Sequence, residues 1–131
     1  MNKPALLSAF AALLLSSLPA LAHHSFAAEY DANKPVEVKG TVTKVEWTNP
    51  HARFYVDAKD ASGATINWNF ELASPNVLNR NGWTRKAVQV GDQVTVQGSK
   101  AKDGSNMANA RAVVLANGKR VFAGSSGGDG Q

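Results

Sequence analysis

The chain has 131 residues, a formal net charge of +4 and no cysteine. That length suits one small domain with a single core, and the missing thiols exclude disulfides, thiol catalysis, zinc–thiolate and iron–sulfur sites and c-type haem attachment. The 14 lysines and arginines are scattered without a cluster, so charge gives no argument for nucleic acid as a partner.

Met1-Asn2-Lys3 forms a short positive start, residues 5–18 an apolar run broken mainly by Ser8, Ser16 and Ser17, and Pro19 precedes Ala20-Leu21-Ala22. A basic start, a short apolar stretch and a small-x-small site together predict a secretory signal peptide over 1–22. The run is too short and wrongly flanked for a stable membrane span, and no later apolar run is longer. The mature protein is therefore expected to be periplasmic or secreted, with no transmembrane segment. Removing Lys3 with the signal lowers the charge from +4 to +3.

Residues 23–35 have no clean period and read as a leader. Phe26 and Tyr30 are its anchors to the domain, and Glu29 and Asp31 its capping or ligating groups. From Val36 the chain alternates, with Val36, Val38 and Val42 on one side, Glu37, Lys39, Thr41 and Thr43 on the other, and Gly40 at an inward position. The phase then slips, because Val45 and Trp47 fall at odd numbers. A slip of one residue exposes the core face unless a bulge absorbs it, so a long first strand bent near Thr43-Lys44 is predicted over 36–47. Asn49-Pro50 is a turn signal.

Strand two alternates Ala52, Phe54, Val56 and Ala58 inward against Arg53, Tyr55 and Asp57. After the turn Asp60-Ala61-Ser62-Gly63, strand three sends Ile66, Trp68, Phe70 and Leu72 inward and Asn67, Asn69 and Glu71 outward. Ser74-Pro75 reads as an N-cap with proline at the first helical position, and Gly82 as the left-handed residue that ends a short helix. Strand four carries Val94, Val96 and Gly98 on one face, strand five spans roughly 108–116, and Asn117-Gly118 makes a hairpin turn into 119–123. From Gly124 the composition is glycine, serine and aspartate, so residues 124–131 read as a disordered tail.

These elements predict an all-β domain over 36–123 with one short helix. A helix between the third and fourth of five or six strands is the order of an OB-like antiparallel barrel; an open β-sandwich is the alternative.

Five motifs occur in one order: His23-His24-Ser25-Phe26, Gly40-Thr41-Val42, Trp47-Thr48-Asn49-Pro50-His51, Ser74-Pro75-Asn76 with Gly82-Trp83 behind it, and Gly91-Asp92-Gln93-Val94-Thr95-Val96. In this the chain resembles a family of small exported bacterial proteins known as a domain of unknown function, from His23 to about Ser125. The resemblance implies export and an OB-like β fold, and brings no activity and no site residue.

Function has to come from the histidines, of which there are three. Cleavage after Ala22 leaves His23 as the first residue. Its α-amine and ring Nδ1 can chelate one metal ion, and a second imidazole completes three nitrogens, the T-shaped set called a histidine brace. Nitrogen-rich tetragonal sites suit copper(II). His51 supplies the third nitrogen, with His24 as the alternative; Met107 is a soft copper donor or a packing residue. Other readings stand beside this one: a solvated end compatible with cleavage, a His51 that bonds its own turn, or a proton-linked switch.

The second functional reading is a barrel face binding a small molecule or a partner protein through Arg53 and Tyr55. The tryptophans fall at core-phase positions or element ends. There is no Gly-x-Ser-x-Gly elbow, phosphate-binding glycine loop or zinc-protease helix, so no catalytic residue is assigned. The sequence therefore reads as a non-enzymatic binding protein, with copper as its one candidate cofactor. Its expected partner class is a periplasmic or membrane protein, and nucleic acid is not expected.

Overall fold

The computed structural model describes residues 26–124. A helical turn over 26–29 leads into β1 (Tyr30–Glu46), β2 (Arg53–Lys59), β3 (Thr65–Glu71), α1 (Pro75–Arg80), β4 (Gln93–Ala101), β5 (Met107–Val114) and β6 (Arg120–Phe122). The signal peptide, His23, His24 and the tail from residue 125 lie outside the described residues. No described helix is long and apolar enough to cross a membrane.

β1 is the strand about which the barrel is wound. Its first part pairs antiparallel with β4, from Tyr30↔Ala101 to Thr41↔Gln93, and its second with β2, from Thr41↔Asp57 to Glu46↔Arg53. One strand serves two neighbours because it bends. Val42 faces Val56 and Lys44 faces Tyr55, so Thr43 is the extra residue of a bulge. That bulge takes up the phase slip the sequence displays at Thr43-Lys44.

The sheet closes through β3 and β5, which run parallel with Asn69↔Met107, Phe70↔Ala108 and Glu71↔Asn109. With β1–β2–β3 on one side and β1–β4–β5 on the other, this is the OB-like barrel; closure removes the open sandwich. β6 adds a short hairpin strand to β5.

Alternation places the core. Phe54, Val56, Phe70, Leu72, Val96 and Val113 are all buried, and Leu78 of α1 joins the same core. α1 starts where Ser74 caps it, its hydroxyl accepting from the Val77 amide at 3.3 Å. Gly82 follows the helix at φ 90°, a conformation that costs other residues a steric penalty. Trp83 packs beneath and donates from Nε1 to the Phe122 carbonyl at 2.7 Å.

Gly98 of β4 lies against the Asn109-Ala110 backbone of β5. A Cβ there would lie 2.1 Å from the Asn109 carbonyl oxygen, which is backbone and cannot swing away. Gly98→Ala is expected to lower unfolding stability by about 3 kcal/mol, the upper end of ordinary overpacking. A urea midpoint shifted by less than a third of that would show that the strands part easily.

One boundary differs from expectation. β1 begins at Tyr30, inside the stretch read as a leader, because a register shift between Asp31 and Pro35 hides the alternation there. The anchoring expected of Phe26 and Tyr30 is present: the rings are 5.7 Å apart and Tyr30 is 2% exposed.

Candidate functional site

The ladder between β2 and β3 continues past the strand ends. Ala52 donates to the Ala73 carbonyl and accepts from the Leu72 amide, at 3.1 and 2.9 Å. This fixes the backbone of His51, whose Nδ1 lies 3.0 Å from the Leu72 carbonyl oxygen. A carbonyl only accepts, so Nδ1 is the donor in this bond. The side chain is 35% exposed.

Glu71, at the end of β3, is the centre of the corner. Its outward phase predicts an exposed carboxylate, yet the residue is only 8% exposed. Arg53 lies opposite it in the β2–β3 register and donates from Nη2 to Oε2 at 2.5 Å; Tyr30 donates its hydroxyl to the same oxygen at 3.0 Å. The other oxygen, Oε1, stands 4.0 Å from His51 Nδ1. Arg53 also donates from Nη1 to Asn69 Oδ1 at 3.2 Å and lies 3.9 Å from Met107 Sδ. Met107 is thereby placed against a guanidinium.

Burial, reinforced by the charge of Glu71 and the hydrogen bond to it, pushes the Tyr30 phenol well above its ordinary range. A raised pKa makes the protonated phenol the stabilising form. Its contribution is complete below the ordinary value of 10.0 and fades as pH climbs beyond it. With Tyr55→Phe, Tyr30 is the remaining one of two tyrosines. Alkaline titration of that variant should release tyrosinate absorbance only together with unfolding; ionisation of the folded protein at the ordinary value would contradict the bond to Glu71.

The structure brings together His51 and Arg53, with Tyr55 one step along the same face. Tyr55 donates its hydroxyl to Glu46 at 3.4 Å and stands under the Lys44 ammonium, 5.1 Å from the ring centroid. Both residues of the proposed ligand face are thus already engaged by neighbours of opposite character. Glu71 and Tyr30 were not assigned a site role by sequence reasoning. The isolated acidic residue among asparagines on β3 is the one available signal, and it does not say what covers it.

Trp47, Arg85, Val88 and Val90 line an open groove of about 790 Å³. Val90 is 67% exposed there. Among the described residues no three His, Asp or Glu side chains converge closely enough to hold a metal ion.

Topology and corner together define an OB-like barrel that carries a buried, charge-paired acid beside a part-exposed imidazole. The chain belongs to the family of unknown function DUF6152, whose model matches residues 11–110. No curated protein matches it in sequence. Among the solved structures similar in fold are two at low identity. One is the mitochondrial single-stranded DNA binding protein Rim1 of S. cerevisiae, at 13% identity and a TM-score of 0.48, covering 63% of this chain and 92% of that one. The other is the N-terminal domain of PriB from Thermoanaerobacter tencongensis, at 17% identity and a TM-score of 0.42, covering 63% and 96%.

The expected partner class needs correction here. Nucleic acid was set aside on charge, in favour of a periplasmic or membrane protein, but a similar solved barrel is itself a single-stranded DNA binding protein. The likeness is one of fold alone and assigns no ligand.

Proposed function

We propose that this is an exported, periplasmic or secreted, metal-binding protein whose mature end, beginning at His23, holds copper(II) together with His51. His23 contributes its α-amine and ring Nδ1; His24 is the alternative third donor. The observation that carries the reading is the bond from His51 Nδ1 to the Leu72 carbonyl. Metal-binding histidines characteristically donate their other ring N–H to a carbonyl or carboxylate, which fixes the tautomer and aims the free nitrogen. His51 is held in that way before any metal arrives.

Export is supported by the signal pattern over 1–22, and copper by the nitrogen-rich donor set. Buffering or delivery of the metal is the role this reading assigns. The reading through Arg53 and Tyr55 receives less support, because the Arg53 guanidinium is bound to Glu71 and Asn69.

The test is competition titration of copper(II) into protein that begins at His23, beside the same protein acetylated on its α-amine. Acetylation removes the amine donor without lengthening the chain. An added residue is a poorer block, because it moves His24 to the third position, where a new amide chelate forms. Tight one-to-one binding lost on acetylation supports the reading; equal affinities reject it.

A further inference from the structure

We infer that the free edge of β1, at Val45 beside the open groove, is an interface between two copies of this chain, paired antiparallel across that residue. The surface is separate from the proposed copper site and takes none of its residues.

β1 loses one of its two neighbours part-way along. Pairing with β4 ends at Thr41↔Gln93, and the last bonds on that side join Val42 to Asp92 and Gly91, at 2.9 and 2.8 Å. β2 stays beside the strand as far as Glu46. Backbone direction along β2 is set by Ala52, which exchanges its bonds with Leu72 and Ala73 on the β3 side. Phe54, two residues on, turns to β3 as well, so Phe54 and its partner Val45 face each other without mutual bonds. The Val45 N–H and C=O therefore point away from β2, and no described residue bonds them. The groove leaves room beside them, lined there by Val45, Trp47 and Val90. An unpaired edge of this kind is a template for another strand.

Charge selects the occupant and the register. Lys44 and Glu46 flank Val45 and pair with each other at 2.6 Å, their side chains 60% and 33% exposed. In a two-fold antiparallel pair centred on Val45, each Lys44 stands opposite the second copy's Glu46, and symmetry makes that contact twice. Opposite charges across a ladder attract; centring the pair on Lys44 or on Glu46 instead sets like charges face to face. In the favoured register the two Val45 residues exchange both backbone bonds, and association covers Trp47 and the 67% exposed Val90. The edge is short, so the dimer is a weak one.

Sedimentation of the metal-free protein beginning at His23, up to millimolar concentration, should show a monomer–dimer equilibrium. Lys44→Glu and Glu46→Lys should each weaken it about tenfold, because repulsion replaces attraction at both symmetric contacts. The double variant Lys44→Glu/Glu46→Lys should restore the parent's association, a result that loss of folding cannot imitate. Hydrogen exchange at the Val45 amide should slow as the parent's concentration rises. Single variants that associate like the parent, a folded double variant without restored association, or a Val45 amide indifferent to concentration would each overturn this pairing. So would a parent that stays monomeric throughout, which would leave the edge to an extended segment of another chain.

Discussion

Glu71→Ala is expected to cost about 3 kcal/mol of unfolding stability, toward the lower end for a broken buried ion pair. The side chain is 10% exposed and accepts from both Arg53 and Tyr30, so its removal leaves Arg53 Nη2 and the Tyr30 hydroxyl without this acceptor. Arg53 remains 28% exposed, and water screens it once the pair is gone, which keeps the loss from being larger. A domain of this size has about 5–15 kcal/mol in total, so the loss is a substantial fraction. Glu71→Gln should cost less, because its amide oxygen still accepts one of the two bonds. Urea unfolding followed by tryptophan fluorescence separates the variants. Equal, near-zero losses would mean that the corner is held by packing alone.

The second large effect concerns the metal. Acetylating the α-amine of His23 should weaken copper(II) binding by more than a hundredfold, since it deletes a direct donor and loss of an outer-shell partner alone costs 10–100-fold. Two donors of one residue act as a chelate, and the remaining ring nitrogen must then bind without its closing partner. The free protein should also lose affinity as pH falls below about 8, where the amine takes up its proton and competes with the metal. The acetylated form lacks that titration and should lack the corresponding pH dependence.

The barrel is legible in the sequence where local rules decide it. The period-two runs around Phe54-Val56 and Phe70-Leu72 fix which faces of β2 and β3 turn inward. The phase slip at Thr43-Lys44 announces the bulge, and Ser74-Pro75 with Gly82 brackets α1. Parallel closure of β3 on β5 is not legible, because it joins Asn69 to Met107 across an intervening helix and strand.

The site is half legible for the same reason. His51 stands out by composition, but its tautomer depends on a carbonyl 21 residues away. The outward phase of Glu71 follows from alternation; its burial does not, since the group that covers it, Tyr30, lies 41 residues earlier. Tyr30 in turn sits in a stretch whose register shift between Asp31 and Pro35 erases the strand pattern.

The most direct measurement is electron paramagnetic resonance of the protein beginning at His23, loaded with one equivalent of copper(II), beside its His51→Ala variant. The account predicts a tetragonal signal with nitrogen splitting in the parent and the loss of one coordinated imidazole in the variant. Identical spectra would remove His51 from the copper site, and with it the reading that this corner of the barrel binds metal.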